Sequence, residues 1–263
     1  MTSQLEVEFR QPCGVSGQLG HWEAWRIANI LISTRLLRVG LVCGAVWLAP
    51  SLAYSQSQEL VDAYNQGSTL YGQGRYEAAL PFHRKAVRLG EKEFGPNHPT
   101  FATLLNSLGL VYGGQGRYAE AEPLYQSALA IWETALGPEH PRVATGLNNL
   151  AELFREQGRY AEAEPLYERA LAIAERVLGA DHSGVTTGLA NLALLYRTQG
   201  RYAEAEQLFK RAIVIQERAL GPDHPALAKM LGNYATLLRS IDRTDEAIEL
   251  EARAAVIRAR QAE

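Results

Sequence analysis

Four histidines, His98, His140, His182 and His224, stand 42 residues apart. A transition metal needs such ligands within about 2 Å of a single ion. Equivalent side chains in successive units of a repeated structure lie about 10 Å apart, the distance between packed helices. These histidines therefore cannot converge on one metal, and capping or packing at a linker is the role their spacing leaves. The acid pairs Glu120/Glu122, Glu162/Glu164 and Glu204/Glu206 recur with the same period. A catalytic acid–base pair would be unique to one place. Carboxylates that open a helix complement its dipole instead. The chain shows no serine nucleophile elbow, phosphate loop or Cys–His pairing. It reads as non-enzymatic, with no catalytic residue, no metal site and no cofactor.

The residues with recognition chemistry are amides and guanidiniums. Asn106 and Asn148 share one column of the repeat, and Asn149, Asn191 and Asn233 share the next, about 100° further round a helix. Asparagine is a poor helix former, so repeated mid-helix placement needs a reason. Its side chain can pair with both the N–H and the C=O of a peptide backbone. A ladder of asparagines bonding neighbouring helices would serve as well. Arg155, Arg197 and Arg239 form another column, which Gly113 interrupts in the preceding unit. Three guanidiniums in a row suit acidic side chains or a C-terminal carboxylate. A solvated face, or pairing with Glu152 and Glu156, is the alternative.

The elements that must carry these columns follow from the period. Gly-Arg-Tyr stands at Gly74–Tyr76, Gly116–Tyr118, Gly158–Tyr160 and Gly200–Tyr202, always 42 residues apart with no insertion. Such a period marks a stacked repeat array. Each unit is two helices. In the third, Leu147, Leu150, Ala151 and Phe154 make one apolar face. Gln157-Gly158-Arg159 breaks the pattern, as glycine suits a helix C-terminus. Ala163, Tyr167, Ala170, Leu171 and Ala174 make a second face, which Leu178-Gly179 closes. The linkers Gly137-Pro138-Glu139-His140-Pro141 and Gly221-Pro222-Asp223-His224-Pro225 stop one helix and start the next. The tyrosines of the turns are expected to pack between the two helices. One pair cannot cover its own apolar faces, so neighbours must stack.

The pattern of small and large residues resembles the tetratricopeptide repeat. It falls on Leu105, Leu108, Gly109, Tyr112, Ala121, Tyr125 and Ala128, and again on Leu147, Leu150, Ala151, Phe154, Ala163, Tyr167 and Ala170. A third copy runs Leu189, Leu192, Ala193, Tyr196, Ala205, Phe209 and Ala212. The proline that ends the second helix in the common 34-residue form is replaced by Glu133, Glu175 and Glu217, so that helix runs on. With Leu-Asn-Asn-Leu-Ala at Leu147–Ala151, this 42-residue form is similar to the repeat domain of kinesin light chains, over about Glu59 to Glu263. The resemblance implies an all-α, right-handed superhelical solenoid of stacked antiparallel helix pairs, about five units and ten helices. The helices are expected to begin at Gln58, giving a solenoid over 58–263 whose units span about 59–97, 98–139, 140–181, 182–223 and 224–263. It further implies a concave surface lined by the first helices, where an extended peptide of a partner protein would lie along Asn106, Asn148, Asn149, Asn191, Asn233, Arg155, Arg197 and Arg239.

The ends differ from the middle. Ala63, Gln66, Gly67 and Leu70 make the first unit degenerate. In the last unit Glu251 replaces the buried aromatic, and Ile241-Asp242-Arg243 replaces the Gly-Arg-Tyr turn. Ahead of the array, residues 1–53 read as a leader. Arg35 and Arg38 precede an apolar run over residues 39–52, and Ser51-Leu52-Ala53 offers a small-x-small cleavage site. This describes a secretory signal. A run of 14 residues is short for the roughly 20 that span a bilayer, with an uncleaved anchor over residues 39–54 as the alternative. Val42 before Cys43 disfavours lipidation. The long stretch before the apolar run leaves two alternatives, an extended export signal or a start downstream at a non-Met codon. Cleavage after Ala53 would remove both Cys13 and Cys43, leaving no disulfide or thiol chemistry. Net charge is −3, which gives no footprint for nucleic acid. The expectation is an exported protein of a bacterial periplasm or envelope that binds a protein or peptide. The alternative is a self-associating structural adaptor, with any membrane contact confined to an uncleaved N-terminal segment.

Overall fold

The computed structural model describes residues 49–260, with side chains from Gln58 onward. Cys13, Cys43, the basic flank at Arg35 and Arg38, and residues 39–48 of the apolar run lie outside the described residues. The chain divides into two compact units, Met1–Leu89 and Gly90–Glu263. Among the described residues there are ten α-helices and no strand. None of these helices is long and apolar enough to cross a membrane.

The first unit holds α1 (Ala49–Gly72) and most of α2 (Tyr76–Phe94). Helix α1 begins ahead of the expected start at Gln58 and runs through Ser51-Leu52-Ala53, the expected cleavage segment. Leu60, Ala63, Ala79 and Ala86 are buried. His83 stands in the column held by Tyr125, Tyr167 and Phe209 further on. A methyl group on Gly67 would come within 2.7 Å of its ring, so the glycine leaves room for it.

The second unit is a stack of four helix pairs: α3 (Pro99–Gly114) with α4 (Tyr118–Leu136), α5 (Pro141–Glu156) with α6 (Tyr160–Leu178), α7 (Thr186–Thr198) with α8 (Tyr202–Leu220), and α9 (Pro225–Arg239) with α10 (Thr244–Ala259). Each second helix also packs against the first helix of the following pair, and consecutive first helices touch one another. The first helices therefore line one side of the stack. The alanine column Ala121, Ala163, Ala205 and Ala247 is wholly buried, and a small side chain there lets packed helices approach closely. Tyr125, Tyr167 and Phe209 fill the space beside it. Gly109 repeats the arrangement of Gly67, 42 residues earlier: a methyl group there would come within 2.7 Å of the Tyr125 ring, where Ala151, Ala193 and Ala235 stand in the later pairs.

The punctuation follows from the backbone. Gly158 adopts φ +74°, and the Arg159 N–H donates to the Phe154 carbonyl at 2.8 Å, closing α5 in a left-handed turn. Each linker histidine is an N-cap. The imidazole Nδ1 of His98, His140, His182 and His224 accepts from the backbone N–H two residues on, at 3.0–3.2 Å. Where Pro99, Pro141 and Pro225 fix the first turn, the following helix is regular from its start. Ser183 stands in that place in the third linker, and a 3-10 turn over Ser183–Val185 precedes α7.

Candidate partner-binding surface

The asparagine columns split into different environments. Asn106 on α3 is buried at 6% exposure, and its Oδ1 accepts from Asn149 Nδ2 on α5 at 2.8 Å. This pair bridges two repeats and turns its amides toward each other. Asn148 is half-buried, with its Oδ1 buried and unpaired among the described residues. Asn191 on α7 and Asn233 on α9 are half-buried and make no side-chain hydrogen bond to a described residue. The structure thus brings Asn106 and Asn149 together and leaves the other three apart.

The arginine column divides as well. Arg155 is held by Glu152 at 2.7 and 3.0 Å, and also by Glu156. Tyr167 donates to the same Glu152 carboxylate. Burial pushes the Glu152 carboxyl up, but the hydrogen bonds from Arg155 and Tyr167 outweigh it and leave it below the usual range. The charges of Arg155 and of Lys229, two repeats away on α9, add to that lowering. Arg239 is held by Glu251 at 2.8 and 2.9 Å. The glutamate in the aromatic column is therefore satisfied by the arginine of its own pair. Arg197 on α7 is half-buried and forms no ion pair with a described residue. Of the three arginines it alone has no acid holding it.

Sequence reasoning missed a second arginine system, the one in the turns. Arg159 chelates Glu162 of its own helix at 2.7 and 2.8 Å, reaches back to Glu122 on α4 at 2.7 Å, and lies 3.9 Å over the Phe154 ring. Arg201 does the same with Glu204, Glu164 and Tyr196, and Arg243 with Glu246 and Glu206. The acid pairs that open each second helix thus have split duties. The first acid answers the arginine of its own turn, and the second answers the arginine of the following repeat. A further ladder joins Arg169 to Glu133, Arg211 to Glu175 and Arg253 to Glu217, each at 2.6 Å. Those glutamates occupy the places where a proline would end the helix. The signal lay in the sequence as an arginine 37 residues after one glutamate and three before another, repeated every 42. Among the described residues no group of three or more His, Cys, Asp or Glu could hold a metal.

A sequence model of the tetratricopeptide repeat family matches residues 59–114, 100–176, 142–213 and 184–258. The chain belongs to the tetratricopeptide repeat family. No curated protein matches it. Among solved structures it is similar to a Podosopora anserina protein described as a kinesin light chain with nearly identical TPR-like repeats. That likeness has a TM-score of 0.65 and 24% identity, over 80% of this chain and 97% of the other. BtubC (BKLC) of P. vanneervenii matches with a TM-score of 0.60 and 24% identity, over 82% and 92% of the two chains. The Rap conjugation gene regulator of plasmid pLS20, in complex with the Phr* peptide, matches with a TM-score of 0.68 and 14% identity, over 95% and 67%. At these identities the likeness is one of fold, the all-α solenoid of stacked repeats. The tetratricopeptide repeat fold makes protein–protein interaction the class of function, with partners that are proteins or peptides.

Proposed function

We propose that this tetratricopeptide repeat protein is an exported, non-enzymatic module. It binds an extended peptide segment of a partner along the concave side made by α3, α5, α7 and α9. The observation that carries the reading is Arg197. It is a half-buried guanidinium on the first-helix side that no acid among the described residues holds, in a column where Arg155 and Arg239 are each held. A desolvated cation of this kind favours an incoming carboxylate. Lys229, exposed on α9, adds charge of the same sign. Asn148, Asn191 and Asn233 offer amides for backbone groups nearby. A related fold binding a peptide, the pLS20 regulator with Phr*, supports the same mode of use.

Selection of a displayed random-peptide library on the repeat domain tests this. Enriched peptides should carry acidic residues or end in a free carboxylate, and Arg197→Glu should weaken their capture at least tenfold. Affinity should also fall as salt rises. Unchanged capture by Arg197→Glu would place binding elsewhere. Export rests on the basic flank, the apolar run and the small-x-small site, and N-terminal sequencing of the mature protein should start at or near Tyr54. Intact Arg35–Leu52 on protein from the cytosolic soluble fraction would end that part of the reading.

A further inference from the structure

Three columns on the second helices meet the next repeat, and α10 departs from all three. In the first, Glu122, Glu164 and Glu206 receive Arg159, Arg201 and Arg243, and α10 has Ile248. In the second, Leu129 packs beside Gly146 and Leu171 against Gly188, while Ile213 packs on the Leu227 cluster of α9. Here α10 has the exposed Ala255. In the third, Glu133, Glu175 and Glu217 receive Arg169, Arg211 and Arg253, and α10 has the exposed Ala259. With Ala252, these residues form an uncharged stripe at i, i+4, i+7 and i+11 of one helix face. Ile248 is 51% exposed, as is Val256 on the margin of the stripe.

We propose that a second copy of this chain docks on that stripe, α10 against α10 in antiparallel register, to give a two-fold dimer. The charges select this occupant. A further repeat of the same kind would bring two arginines onto Ile248 and Ala259, where no carboxylate answers them, so head-to-tail stacking is disfavoured. A second α10 brings only apolar side chains to the stripe. Its flanks are complementary in the antiparallel sense. Asp245 and Glu249 lie in the first half of the helix and Arg258 at its end, and none of the three is in an ion pair with a described residue, whereas Glu246 and Arg253 are already held within the chain. An isologous contact sets each acidic half beside the partner's basic half. The contact lies on an end face and is independent of the peptide surface.

Sedimentation velocity of the full chain over a concentration series tests the proposal. Wild type should move from monomer to dimer and no further. Ile248→Glu and Val256→Glu, both at half-exposed positions, should each weaken dimerisation at least tenfold with an unchanged melting temperature at low concentration. In a Cys13→Ser, Cys43→Ser background, Ala252→Cys or Ala255→Cys near the two-fold axis should form an interchain disulfide on mild oxidation. A monomer at every concentration overturns the proposal, as it would if the leader of the same chain covers the stripe. Open-ended oligomers overturn it too, and so does a dimer indifferent to both glutamate substitutions. Loss of peptide capture in Arg197→Glu leaves this outcome unaffected, so the two readings fail separately.

Discussion

Single residues decide whether a repeated amide serves the partner or the stack. Asn106 and Asn148 occupy equivalent positions, yet Asn106 is buried against Asn149 while Asn148 is only half-buried. The sequence shows the columns but not this divergence, because a rotation of 100° per residue separates Asn148 from Asn149 and only packing says which one turns to the neighbouring helix. The same holds for the arginines. Arg155, Arg197 and Arg239 share one column, but Glu152 and Glu156 lie on the same helix as Arg155, and Glu251 reaches Arg239 only because α10 folds back on α9. The cost of breaking the amide pair measures its structural role. Asn149→Ala leaves a buried acceptor without its donor, so it should lower the unfolding free energy by about 1–3 kcal/mol in urea titration. Replacing both partners with leucine should recover most of that loss, since neither polar group is then stranded.

At the scale of the element, the helix pairs and their turns were legible in the sequence, because glycine, small residues and aromatics recur with a fixed period. In the second unit a boundary shifted where a residue broke the rule, as Ser183 does in the third linker. The arginine ladders were less legible, since each links residues 36 or 37 apart whose proximity exists only after stacking. Two substitutions test the element. Ala163 is fully buried on α6, which packs against α5, so Ala163→Phe must push its surroundings apart, and overpacking costs about 1–3 kcal/mol. A central repeat supports neighbours on both sides. Thermal melts should therefore show a larger drop for Ala163→Phe than for Ala79→Phe in the first pair. The turn between α9 and α10 offers the opposite sign. Asp242 holds φ +61° where the earlier turns have glycine. A residue with a side chain is strained in that region by about 1–2 kcal/mol. Asp242→Gly should raise stability by about 0.5–1 kcal/mol after the entropy cost of glycine, measured by the same melts.

Across the whole molecule, acid should act on the two units in different pH windows. In the second unit, hydrogen bonds from arginines hold the carboxyls of Glu162, Glu204, Glu246 and Glu251 below their ordinary value. Burial pushes Glu206 up, but Lys210, Arg243 and Tyr234 outweigh it and bring it down to about 2 from an ordinary 4.5. A carboxyl lowered in the folded state adds stability above its unfolded value and loses it as pH falls through the folded one. These ladders therefore hold above about pH 4.5 and drain toward pH 2. His83 in the first unit titrates earlier. It is 3% exposed, set edge-on to Tyr64 with no hydrogen-bond partner on either nitrogen among the described residues, and burial lowers it to about 4 from 6.5. The unfolded chain binds the proton first, so stability is whole above pH 6.5 and is lost as pH falls to about 4. The loss is at most about 3 kcal/mol at 1.36 kcal/mol per unit. Amide hydrogen exchange followed peptide by peptide should show α1 and α2 losing protection between pH 6.5 and 4, while α5 to α8 keep theirs until below 4.5. His83→Phe restores the aromatic of the other repeats and removes the titrating group. In that variant the early loss should vanish and the later one remain. Unchanged early exchange in His83→Phe would show that another group opens the first pair.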